Sequence, residues 1–205
     1  MDKENKVERN ILKNAYYMIN LFENEKNKYY EDINNRSNSE EIKSEQMPNN
    51  TIISNLKLQK LMYFVEAYYM NKEDKNHLYD SDWSAWDYGP VNKDLYDHFK
   101  KYGSVEISLS QEEKNTIDDL PEINKECIKK IFEVFGEYNA FELVTLTHLP
   151  NSPWYEIKEN NKYEFDKLNE SIIDKEATKI WFKNTFGKIL ELETQKWKKM
   201  INYFF

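Results

Sequence analysis

Glycine is scarce in this chain: four among 205 residues, beside five prolines and one cysteine. So few turn-formers exclude an all-β fold built on many tight turns and favour helices. The same scarcity removes chemistry. There is no Gly-x-Gly-x-x-Gly and no Gly-x-x-x-x-Gly-Lys to cradle phosphates, and no Gly-x-Ser-x-Gly nucleophile turn. Cys127 alone permits neither an internal disulfide nor a cysteine zinc cluster, which fits a reducing compartment. Long apolar runs are missing too. The most apolar stretch, Leu61 to Met70, is interrupted by Glu66 and is too short to span a bilayer. The first ten residues lack the apolar core of a signal peptide. The expected location is cytoplasmic, with no membrane partner.

Positive charge is in deficit. Lys plus Arg is 29 against 37 Asp plus Glu, a net charge of −8. Such a chain repels phosphate, so nucleic acid is not an expected partner. What is present is a soluble globular composition, 40% hydrophobic and 32% charged, in a length that suits one domain with or without an appendage.

The hydrophobic pattern predicts a mainly α fold, a single compact helical domain. Val7, Ile11, Ala15, Met18, Ile19 and Phe22 share one face of a helix over 7–22. Residues 23–50, rich in Asn, Glu, Lys and Ser, read as a linker, an insertion or a solvated helical excursion. Ser54 is a candidate N-cap for a helix running to about Asn71. That helix has two apolar stripes on nearly opposite sides: Leu58, Leu61, Met62, Val65 and Tyr69, then Leu56, Tyr63, Ala67 and Met70. It should be central, and Gln59 and Lys60, enclosed with it, each need a polar partner. A minor β element is expected near residues 78–90 and again at 104–109, where Val105, Ile107 and Leu109 alternate with polar residues. Between them Pro90 would open a helix over about 91–101. Further helices are predicted over 122–135, stopped by Gly136; over 139–148, opened by a capping box at Asn139 and Glu142; and over 173–186 and 188–203. The last of these places Leu190, Trp197, Met200, Ile201 and Phe204 on one side.

Few residues carry candidate chemistry. His77, His98 and His148 lack the short spacing of a metal helix, so no metal and no cofactor are expected. His98 reads as a core histidine. His148 closes a helix before Pro150, where the helix end favours an imidazolium, and it reads as a structural cap or as an acid–base group. No catalytic triad is positioned. The 15 Tyr, 11 Phe and five Trp are not accompanied by a cationic groove, so they read as core and as protein-interface anchors rather than as base-stacking platforms.

Three segments together resemble one family. Leu56-Lys-Leu-Gln-Lys-Leu-Met-Tyr-Phe64 is followed by Trp83-Ser-Ala-Trp-Asp-Tyr-Gly-Pro-Val91 with Leu95-Tyr96, and later by Leu146-Thr-His148 and Pro153-Trp154. Their order and spacing resemble the Panacea domain of SocA-like antitoxins, a group that includes GepA-type phage-associated proteins. The likeness covers about 7–186, with the polar insertion 23–50 as one departure and a C-terminal helical extension, 187–205, as another. It implies a helical, non-enzymatic antitoxin of a toxin–antitoxin system, with a role in phage defence. Such a protein neutralises a cognate protein toxin by direct binding, or acts as a proteolytic adaptor towards a ClpXP-type protease. Leu58, Leu61, Trp86, Tyr88, Gly89, Pro90 and Val91 look like scaffold. Gln59, Lys60, His148 and Trp154 are scaffold contacts or part of a recognition surface. Trp197 and Ile201, beyond the family core, are candidate contacts to the partner or to a second copy of the chain. Two alternatives stand beside the antitoxin: an enzyme on the same helical fold, with His148 as acid or base near Lys60 and Glu66, and a regulatory protein of phage origin.

Overall fold

In a computed structural model the described residues are 7–35, 47–75, 77–160 and 171–191. The fold is mainly α. The elements are α1 (Ile11–Asn35), α2 (Asn55–Glu73), a hairpin of β1 (Trp83–Trp86) and β2 (Gly89–Asn92), α3 (Lys93–Phe99), α4 (Gln111–Asn115), α5 (Glu122–Phe135), α6 (Ala140–Thr147), α7 (Pro153–Asn160) and α8 (Lys175–Glu191). Short 3-10 turns at Asn49–Thr51 and Lys100–Tyr102 precede α2 and follow α3.

The centre is α2, as the double stripe predicts. The Ser54 side chain accepts a hydrogen bond from the Lys57 N–H at its start. Asp74 in the left-handed region (φ 49°) closes its end, its N–H donating to the Met70 carbonyl. From Leu58 to Ala67 every residue is buried. Such a helix needs neighbours all round, and α1, α5, α6, α8 and β2 pack against it. The aromatic residues Phe64, Phe135, Trp181, Phe182 and Phe186 form one cluster where α2, α5 and α8 meet.

Burying α2 on every side encloses polar side chains, and those of Lys57, Gln59, Lys60 and Glu66 are answered. The Lys57 ammonium donates to the carbonyls of Asn49 (2.7 Å), Ile52 (3.2 Å) and Gly136 (2.8 Å) and lies 4.5 Å from the Phe22 ring centroid. Glu66 accepts from the N–H groups of Leu78 and Tyr79, both at 3.0 Å, from the Trp83 indole and from Lys175. It thereby ties the approach to β1 and the start of α8 onto the central helix. Unanswered, such groups would cost several kcal/mol.

Four features differ from the sequence reading. First, α1 does not stop at 22. It continues to Asn35, but its buried residues end at Phe22, so 23–35 are a largely solvated extension of the helix. Glu23 and Lys26 pin that extension through Lys114 and Glu106. Second, residues 104–109 form no strand. Ile107 and Leu109 are buried, which produces the alternation, but among the described residues the one backbone-to-backbone bond tying this segment to the rest of the core runs from the Ile107 N–H to the Ile53 carbonyl (2.9 Å). A strand needs an edge to pair with, and here the neighbour is the lead-in to a helix. Third, Pro90 sits inside β2 rather than at a helix start, and Asn92 is the N-cap of α3, accepting from the Leu95 N–H (3.2 Å). Fourth, no break separates 173–186 from residue 188 onward, since α8 runs through Gly187 to Glu191. Residues beyond 191, with Trp197 and Ile201, lie outside the described residues.

The boundaries of α5 and α6 agree with the sequence reading. In α6 the Asn139 side chain accepts from the Phe141 and Glu142 N–H groups while Glu142 accepts from the Asn139 N–H, a complete capping box.

Candidate functional site

The motif residues converge on the β1–β2 hairpin. The strands are antiparallel, with Trp86 opposite Gly89. Gly89 has a φ of +93°, a conformation that L side chains rarely adopt. The free edge of β1 is extended by the backbone at 171–173: the Ala85 N–H donates to the Ser171 carbonyl and the Ile173 N–H to that of Trp83.

Two α2 side chains hold the hairpin. The Gln59 amide oxygen accepts from the Asn92 N–H (2.8 Å), and its nitrogen donates to the Asn92 carbonyl (3.3 Å). Gln59 thus completes both backbone bonds of a residue at the end of β2. The fully buried Lys60 donates to the Pro90 carbonyl at 2.8 Å. Burial pushes its ammonium down to about 7.

The third motif segment closes over the hairpin from the other side. A Cβ on Gly89 would lie 2.6 Å from the Thr147 hydroxyl, 3.1 Å from Lys60 Nζ and 3.3 Å from His148 Nε2. Only glycine therefore lets α2, the hairpin and the end of α6 meet at one point. His148 is the C-cap residue of α6, and its ring stacks flat on Trp154, with centroids 3.5 Å apart and planes within 4°. The Trp154 indole donates to the Trp86 carbonyl (2.7 Å). His148 Nε2 is buried without a partner. Sequence reasoning expects the helix end to favour an imidazolium. Burial, and then the charges of Lys60 and Lys158, reverse this and lower the ring to about 4.

The hairpin therefore gathers Gln59, Lys60, Trp86, Gly89, Pro90, His148 and Trp154, and the polar side-chain atoms of Gln59, Lys60 and Trp154 are spent on joining α2 and α7 to the hairpin. Leu58, Leu61 and Val91 are buried around them. Tyr88 differs: it is 61% exposed, with its ring against Phe141 of α6. Glu66 is not part of this group, being occupied by the Leu78–Trp83 segment and Lys175. His98 lies elsewhere, half-buried, with Nε2 at 3.2 Å from the Tyr16 hydroxyl and 3.0 Å from Glu113. The sequence reading missed Phe141 and Asp87 as surface features of the hairpin region. Phe141 was legible as an apolar residue at the second position of a capped helix, a position that faces solvent.

Among the described residues no group of three or more His, Cys, Asp or Glu is placed to hold a metal ion, and no helix is long and apolar enough to cross a membrane. The geometry is that of a helical domain whose sequence motif is packing, with an aromatic edge left in solvent. Residues 58–155 match the model of the family described as antitoxin SocA-like, Panacea domain. Antitoxin SocA of Caulobacter vibrioides is 29% identical over 110 residues, which are 50% of this chain and 58% of that protein. The matched stretch thus spans little more than half of that relative. No solved structure matches the chain. The segment 58–155 is thus similar to the SocA-like Panacea domain, and the resemblance read from the Leu-Gln-Lys helix and the Ala-Trp-Asp-Tyr-Gly-Pro-Val string is borne out.

Proposed function

We propose that the protein is an antitoxin that neutralises a cognate protein toxin by direct contact, without chemistry of its own. The match of 58–155 to the antitoxin family carries the reading. The structure adds support. Lys60 and Trp154, which might have been expected to meet a partner, are buried within the domain, whereas Tyr88 and Phe141 stand in solvent beside them. The partner-facing part of the motif is then the outer edge of the hairpin, and the inner part positions it. Nothing is arranged for acid–base work at His148: its free nitrogen is turned to Gly89 and Lys60, and Glu66 is held elsewhere.

The experiment is co-expression. A small reading frame adjacent to this gene should stop growth alone and be harmless together with it, and the two products should co-purify. Growth arrest that persists beside full expression of this chain, with no co-purification, would refute the antitoxin reading.

A further inference from the structure

A cleft of about 370 Å3 lies between the start of α2, the hairpin and α3. Its walls are aromatic. Trp86 and Tyr96 meet edge to face with centroids 4.8 Å apart, and Tyr88 lines the cleft beside them. Tyr88 then continues outward to Phe141, at a centroid distance of 6.4 Å, as a two-ring ledge 61% and 66% exposed. Neither ring is needed to fill the core.

An exposed carboxylate, Asp87, and the side chains of Asn55, Gln59 and Lys100 complete the lining around these rings. Asn55 lines the cleft and is 6% exposed, yet its side-chain oxygen is buried with no hydrogen-bond partner. Asp87, exposed at the cleft, forms no ion pair with any described residue. Glu142, exposed next to Phe141, accepts the Asn139 N–H and makes no ion pair with a described residue, its charge acting on the Lys57 ammonium only from a distance. The cation at the rim, Lys100, is already bound to Asp97 at 2.9 Å.

We propose that this cleft and ledge bind an arginine-bearing segment of the protein partner; the proposal rests on the antitoxin reading and specifies the chemistry of its contact. A guanidinium is flat, stacks on aromatic faces, and carries five donors in a fork that matches a carboxylate. Seated against Trp86 and Tyr88 it donates to the exposed carboxylate of Asp87, while an apolar neighbour in the segment covers Phe141. Glu142 adds a second carboxylate, and the net charge of −8 draws a basic partner in over a longer range. A nucleic acid, which brings acceptors and negative charge, does not complement these groups.

The test begins without the toxin. The full chain, labelled with 15N, is titrated with N-acetyl-arginine amide, with N-acetyl-glutamine amide as the uncharged comparison. Saturable shifts are expected at the Asn55 side-chain amide, the Trp86 indole and the Asp87 and Tyr88 backbone, at least about tenfold stronger for the arginine probe. They should vanish in Asp87→Asn and in Tyr88→Ala, both exposed positions whose melting temperatures should stay near that of the wild type. No saturable shift, an equal response to both probes, or shifts that survive both substitutions would overturn the proposal. The second arm is growth rescue from the co-expressed toxin. Asp87→Arg and Phe141→Ala should lose rescue, while Lys125→Ala, half-buried on α5 and outside the cleft lining, keeps it. If the wild type itself fails to rescue, the antitoxin reading falls and the titration still decides the site. If the wild type and both variants rescue equally, the site falls and the antitoxin reading stands.

Discussion

Replacing Gly89 with alanine probes the point where α2, the hairpin and α6 touch. Two costs add. A residue with a Cβ at φ +93° pays a backbone penalty of about 1–2 kcal/mol. The new methyl also meets the Thr147 hydroxyl at 2.6 Å, with Lys60 Nζ and His148 Nε2 at 3.1 and 3.3 Å behind it. Thr147 is buried and its hydroxyl donates to the Val144 carbonyl (2.8 Å), so it has little room to yield. Overpacking of this kind costs about 1–3 kcal/mol. A total near 3 kcal/mol lowers Tm by about 6–12 °C for a chain of this size. Gly103→Ala is the control. Its φ is also positive (+55°), but nothing lies within 4 Å of a Cβ there, so only the backbone cost of about 1 kcal/mol applies, about 2–4 °C. Thr147→Ala should relieve the collision at small cost of its own, because the Val144 carbonyl still accepts from the His148 N–H (3.1 Å). The double variant should therefore recover about 1–2 kcal/mol relative to additivity. Equal melting of the two glycine variants, or strict additivity with Thr147→Ala, would refute the close approach.

Val65→Asp places an unpaired carboxylate in the fully buried face of α2 and should cost several kcal/mol; a soluble variant melting like the wild type would count against the central position of that helix. Lys57 and Lys60 are both lowered to about 7 from 10.5, so above pH 7 the unfolded chain binds more protons than the folded one. Stability should thus rise from about pH 7 towards 10, where tyrosine ionisation in the unfolded chain opposes it, and Lys60→Met should flatten that rise in denaturation curves taken across the range. By the same sign, His148, lowered to about 4 from 6.5, contributes stability above pH 6.5 that is lost as the pH falls to 4; His148→Gln should remove that part of the acid limb. Burial pushes the Cys127 thiol up to about 12, so labelling by a thiol reagent in native buffer should be slow and should follow global unfolding; rapid labelling would place that face of α5 in solvent.

Local chemistry alone determined much of this molecule. The Ser54 cap, the Asn139–Glu142 capping box, the stop at Gly136 and the two apolar stripes of α2 are short-range patterns, and each is found where the residues place it. The need of Gln59 and Lys60 for partners was legible as well, since an enclosed polar group must be answered; which atoms answer it was not. The strand alternation at Val105–Leu109 misled because burial on one side is also produced by an extended segment without a partner strand. Pro90 misled because its fixed φ suits a strand as well as a first helical turn, and the choice fell to the pairing of Gly89–Asn92 with Trp83–Trp86. Only the tertiary structure brought Lys60, Gly89 and the Thr147–His148 pair to one point, for these three places are far apart in the chain and no local rule relates them. It also divided the motif, turning Lys60 and Trp154 inward and leaving Tyr88 beside Phe141 in solvent. Exposure is a property of what packs over a residue, and that is set by the whole chain rather than by neighbours in sequence.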